Sequence, residues 1–126
     1  MKLQPDRSSA PLVRAYNEQW LLIDELRFEQ SALVSSLSEL KPRAWEPSSF
    51  ADLQASHLEA LANSGAELVI LGTGRRQRFL PSAWLNPFAL HRIGLETMDT
   101  AAACRTYNIL ASEGRKVLAA LLLEIR

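Results

Sequence analysis

The apolar positions of this chain change their spacing about a third of the way along. Before Trp45 they come in short bursts: Leu12-Val13, Trp20-Leu21-Leu22-Ile23, Leu26 and Phe28 alternating with Arg27 and Glu29, then Ala32-Leu33-Val34. Bursts of this length predict strands. Asn17-Glu18 and Asp24-Glu25 fall between them as tight-turn pairs. Lys41-Pro42 and Glu46-Pro47 hold the chain around Trp45 extended, because a residue before proline avoids the helical region. The first third therefore predicts a small β-meander.

From Ser48 onward, helical spacing alternates with apolar runs. Phe50, Leu53, His57 or Leu58, and Leu61 lie on one helical face, with Ser48-Ser49 as the cap and Gly65 behind. Leu68 to Leu71 is a continuous apolar run, as in a strand covered on both faces. Asn86-Pro87 starts a short helix that Gly94 ends, and Leu95 to Met98 follows as a strand. Asp99-Thr100 caps a third helix through about Ser112, with Ala103, Tyr107 and Leu110 on one face and Gly114 closing it. Val117 to Leu123 suits a strand or a helix by period alone. Alternating strand and helix implies right-handed crossovers onto a partly parallel sheet. The expected fold is α/β: a single compact domain with a central mixed β-sheet, helices packed against it and an N-terminal β-meander. Residues 11–126 form the domain and 1–10 a flexible N-terminus.

Composition narrows the classes of function. At 126 residues, 48% hydrophobic and 22% charged, the chain has the balance of an ordinary globular domain with one core. Fourteen basic residues cancel fourteen acidic ones, so no global field draws the protein toward nucleic acid or an anionic membrane. The longest apolar run is far too short to span a bilayer. A single cysteine, Cys104, forms no internal disulfide, which fits a reducing compartment. The first eleven residues lack both a signal-peptide core and the arginine-rich character of a transit peptide, so the expected location is the cytoplasm.

Two segments carry candidate chemistry. In LVILGTGRRQRFLP, Gly72, Thr73 and Gly74 follow an apolar strand, where glycines allow a sharp turn and exposed N–H groups form an anion-binding concavity. Arg75, Arg76 and Arg78 add fork-shaped donors suited to carboxylate or phosphate. The segment lacks the third glycine of a dinucleotide fingerprint and the Gly-Lys-Ser/Thr of a P-loop. A tight turn with solvated or acid-paired arginines is the competing reading. Phe79 and Leu80 directly after the arginines imply that part of the segment is packed, and strand carboxyl ends are where open α/β sheets bind ligands. The second segment begins at Met98. Asp99 and Thr100 start a helix whose N-terminal end carries partial positive charge, with Arg105 and Asn108 further along it. Cys104, about one turn in, reads as a buried small hydrophobe rather than a nucleophile. His57 and His91 stand alone, without a partner at metal-ligand spacing, and no catalytic constellation appears.

Those two segments, LVILGTGRRQRFLP and GLETMDTAAACRTYNILASEGRKVLAALL, resemble the signature of a small α/β domain family of unknown function whose relatives include a mitochondrial assembly factor for respiratory complex I (NADH dehydrogenase). Gly72, Gly74, Gln77, Met98, Asp99, Thr100, Ala103, Tyr107, Asn108 and Arg115 fall where that family's pattern has such residues. In the first third, Asn17-Glu18-Gln19 and Asp24-Glu25-Leu26 stand where the family tends to have glycines. The resemblance implies a central mixed sheet with Val117 to Leu123 as a strand, and neither cofactor nor catalytic residues. The leading expectation is a non-enzymatic protein-interaction or assembly module with unidentified protein partners. The alternative is a small-anion or nucleotide-like site where the Gly72–Arg78 loop meets the Asp99-Thr100 helix start.

Overall fold

Short apolar bursts do form the first strands. The computed structural model describes residues 9–125. Strands β1 (Val13–Tyr16), β2 (Leu21–Ile23) and β3 (Leu26–Phe28) make an antiparallel three-stranded sheet. Asn17 closes the first turn with its side-chain oxygen, which accepts from the N–H groups of Gln19 and Trp20 at 2.8 and 3.0 Å. Asp24 takes the left-handed backbone position of the second turn (φ 50°), which a short acidic side chain tolerates where glycine is absent. The expectation of a flexible segment over 1–10 falls largely on residues 1–8, outside the described residues. Ala10 lies against the core.

The meander is one strand shorter than the sequence predicts. β4 (Ala32–Ser35) pairs antiparallel with β5 (Arg43–Ala44) and with β8 (Val117–Leu121), inside a second sheet of order β5-β4-β8-β6-β7. All four β4 residues are buried. A strand with no solvated face needs cover on both sides, which the central sheet provides. β6 (Leu68–Gly72) runs parallel to β8 on one side and to β7 (Gly94–Met98) on the other. The sheet is therefore mixed, with β8 at the junction of its parallel and antiparallel halves.

Among the described residues three α-helices cover it: α1 (Ala55–Ala62), α2 (Asn86–His91) and α3 (Thr100–Ser112). The single helix expected from Phe50 to Leu61 is divided. Phe50–Asp52 forms a 3-10 turn, Leu53 is extended and buried, and α1 begins after Gln54. Ser49 makes no side-chain cap bond. The cap is reciprocal between Gln54 and His57, the His57 Nδ1 accepting from the Gln54 N–H at 2.9 Å. Gly94 does not end α2. Arg92 does, in the left-handed conformation (φ 59°), while Gly94 opens β7 where a Cβ would come within 2.9 Å of the Leu68 side chain.

Strand alternation sends the side chains of β8 into two cores. Val117, Ala119 and Leu121 join Ile70, Val34, α3 and the small sheet on one face. Leu118 and Ala120 join Val69, Leu71, α1 and Phe88 of α2 on the other. Tyr107 is fully buried in the first core, and its hydroxyl donates to the Pro11 carbonyl at 2.8 Å, tying α3 to the start of β1. Burial raises its pKa.

Candidate functional site

Parallel pairing brings the carboxyl ends of β6, β7 and β8 to one edge of the sheet, and the loops beyond them meet there. The Gly72–Arg78 loop is held by its polar side chains. Thr73 is fully buried; its hydroxyl donates to the Arg76 carbonyl at 2.7 Å and accepts from the Arg78 N–H at 3.2 Å, so the turn folds around it. Its backbone N–H donates to the Met98 carbonyl at 2.8 Å. Thr100 makes a second staple. Its buried hydroxyl accepts from the Gly74 N–H at 2.9 Å and donates to the Leu122 carbonyl at 2.7 Å, while its own N–H donates to the Gly74 carbonyl at 2.8 Å. Three segments distant in sequence are locked together at one hydroxyl.

The two glycines answer to packing. A Cβ on Gly72 would lie 2.9 Å from the Thr100 hydroxyl oxygen and 3.0 Å from its Cα. Gly74 has φ +100°, and a Cβ there would run into the Glu124 carboxylate. The anticipated meeting of the Gly72–Arg78 loop with the Asp99-Thr100 helix start is present. The bonds that form it are internal to the protein.

The arginines differ in their partners. Arg78 donates to Glu124 at 2.8 Å and to the Thr73 carbonyl at 3.2 Å, and its guanidinium lies over the Phe50 ring, 5.4 Å from the centroid. The same Glu124 oxygen accepts from the Phe50 N–H at 2.7 Å. Arg75 pairs with Glu18 of the first turn at 3.2 Å. Arg76 is exposed and, among the described residues, its side chain has no ion pair or hydrogen bond. All three arginines line a cleft of about 540 Å³ together with Ser48, Ser49 and Glu124. A smaller cleft of about 230 Å³, which shares Arg75 and Glu124 with the first, is lined by Tyr16, Asp99, Thr100 and Ala101. Asp99 caps α3, accepting from the Ala102 N–H at 2.8 Å.

Arg105 and Asn108 both bond to residues of β1. Arg105 donates to the Tyr16 hydroxyl at 3.1 Å, a bond that raises its pKa further. Asn108 bridges α3 to β1 like a strand neighbour: its side-chain oxygen accepts from the Val13 N–H and its nitrogen donates to the Val13 carbonyl, both at 2.9 Å. Cys104 is fully buried, and burial pushes its thiol up to about 12, the opposite of an activated nucleophile. Leu80 anchors the arginine loop in the second core, as expected of that segment, but Phe79 does not; it is 79% exposed. Glu124, which organises the loop, is absent from the candidates drawn from the sequence. Its only signal is a lone acidic residue after the apolar run from Val117.

Known proteins are similar to this chain in fold or in sequence. A solution structure of a Bordetella pertussis protein described as a Mth938-like domain matches with a TM-score of 0.80 at 32% identity, over 98% of this chain and 93% of that one. The human protein named NADH dehydrogenase (ubiquinone) 1 alpha subcomplex assembly factor 3 is 30% identical over 122 residues, 95% of this chain. This chain spans 65% of that protein's length. A protein of Francisella tularensis subsp. holarctica named 13 kDa major membrane protein is 25% identical over 118 residues, covering 93% of this chain and 95% of its own. Among the described residues no helix is long and apolar enough to cross a membrane. The model of the family described as protein of unknown function (DUF498/DUF598) matches residues 13–122, and the chain belongs to that family.

Proposed function

We propose that this protein is a non-enzymatic interaction module that helps assemble a larger complex, using the loop at the carboxyl edge of the sheet as a contact surface. Phe79 carries the reading. An aromatic ring that is 79% exposed, on a loop fixed through Thr73 and the Arg78–Glu124 pair and close in sequence to the unpaired Arg76, has the composition of a binding hot spot. Rigidity matters because an ordered loop loses little entropy on docking. The likeness to an assembly factor for NADH dehydrogenase supports assembly of a respiratory complex as the process served. The test is affinity capture from native lysate with wild type and with the Arg76→Ala, Phe79→Ala double variant, after equal melting temperatures are established. A stoichiometric partner lost with the double variant supports the reading. A partner retained at equal yield, or no partner at all, overturns it. A cytoplasmic location belongs to the same proposal, and recovery in the membrane pellet after fractionation would refute it.

The unpaired Arg76 also favours a second reading, a small-anion site in the larger cleft, where Ser48 and Ser49 add hydroxyls. Under that reading phosphate, nucleotides or carboxylates raise the melting temperature and Arg76→Ala abolishes the rise. A flat response at millimolar ligand assigns the cleft to structure.

A further inference from the structure

Among the described residues β7 ends the central sheet, and the parity of its peptide groups follows from two bonds. The Gly94 N–H donates to the Glu67 carbonyl at 3.1 Å, and the Met98 carbonyl accepts from Thr73 at 2.8 Å. In a parallel ladder alternate residues bond to the same neighbour, so Gly94, Glu96 and Met98 turn to β6 while the peptide groups of Leu95 and Thr97 turn outward. One outward group has a partner: the Gln77 side-chain amide, itself exposed, donates to the Thr97 carbonyl at 3.1 Å. Among the described residues, the Leu95 N–H, the Leu95 carbonyl and the Thr97 N–H have none. The strand contains neither proline nor bulge, two of the devices that blunt an edge.

We infer that the free edge of β7 receives an extended segment of a partner protein as a sixth strand, with a basic residue of that segment opposite Glu96. Leu95 and Thr97 supply two donors and two acceptors, the last after the incoming strand takes over the carbonyl that Gln77 covers. Glu96 is exposed on the α3 face of the edge and has no ion pair among the described residues. Its charge selects the occupant. A second copy of this chain pairing antiparallel about Glu96 would set one Glu96 directly against the other, which is unfavourable, whereas a lysine or arginine there is attracted. The inference rests on the interaction reading in kind but on different atoms, because none of its groups belongs to Arg76 or Phe79.

A cyclic β-hairpin peptide with one free strand reading Thr-Val-Lys-Val-Thr tests it, titrated into the full chain and followed by amide NMR. The expected result is saturable shifts and slowed hydrogen exchange at Leu95 and Thr97, with the Gln77 side-chain amide released from its bond. Replacing the peptide lysine with glutamate should weaken binding roughly threefold to tenfold. N-methylating the two valines, which removes the N–H groups aimed at β7 and leaves the protein untouched, should abolish it. Thr97→Pro should also block docking, since an edge strand tolerates proline where its N–H faces outward. No response at Leu95 and Thr97 at millimolar peptide, or equal binding by the N-methylated peptide, overturns the inference. Concentration-dependent protection of those amides in the protein alone assigns the edge to self-association and overturns it too. Because Arg76→Ala, Phe79→Ala leaves these groups intact, unchanged peptide binding by that variant separates this result from the capture experiment.

Discussion

Replacing Thr100 with valine should cost the fold more than replacing it with serine, although valine is the closer match in shape. The hydroxyl of Thr100 accepts from Gly74 at 2.9 Å and donates to Leu122 at 2.7 Å, both bonds buried. Thr100→Val keeps the volume and leaves that N–H and that carbonyl without their partner, each at about 1–3 kcal/mol, for a total of about 2–6 kcal/mol. Thr100→Ser keeps both bonds and removes one methyl group, a loss of about 0.5–1.5 kcal/mol by analogy with Ile→Val in cores. Helix propensity differs between valine and serine by only a few tenths of a kcal/mol, too little to reverse the order. Urea unfolding followed by the fluorescence of the three tryptophans measures both variants, and the midpoints are comparable if the slopes agree. The Gly74 amide should exchange faster in Thr100→Val and stay near wild type in Thr100→Ser. If serine costs as much as valine or more, the staple contributes nothing net and methyl packing is what matters at this position.

Four further outcomes follow from particular contacts. Gly74→Ala should destabilise more than Gly114→Ala, because both residues have positive φ at about 1–2 kcal/mol for a side chain but only at Gly74 would the Cβ strike Glu124; equal losses in urea would deny the steric part. Cys104 should resist a thiol reagent near pH 8 until the protein is unfolded, and prompt labelling of the native chain would refute its burial. Its raised pKa also fixes a sign: the unfolded chain releases the proton first, so this contribution to stability is complete below about pH 9 and is lost as pH rises toward about 12, read by urea midpoints across that range. Asn108→Ala should cost about 1–3 kcal/mol by removing both bonds to Val13, and the Val13 amide should lose exchange protection while the Gly74 amide does not.

The α/β class, the mixed sheet and α3 were legible because their signals are local. Asp99 does cap α3, and Leu68 to Leu71 does lie between two cores. Failures came where a long-range contact overrode a local one. Nothing in Ala32-Leu33-Val34 says that its partner is β8 rather than β3. The cap of α1 passed from the serines to Gln54 because His57 can accept from it, a pairing invisible to a preference for short hydroxyl side chains. The candidate edge was readable as two loops meeting. The partners of the arginines were not, since Glu18 and Glu124 lie at opposite ends of the chain.

The position of β8 has a consequence for synthesis. It is the last of the strands in chain order among the described residues and sits between β4 and β6, so both wait for it. Val117 and Ser36, bonded in the finished fold, lie 81 residues apart. At about 5–20 residues per second of translation, β4 stays unpaired on that side for roughly 4–16 s. The sheet therefore cannot grow strand by strand as the chain emerges. A nascent chain halted before Val117 presents two apolar edges at once, a state in which chaperone capture and aggregation compete, and the time the ribosome takes to reach Val117 should decide between them.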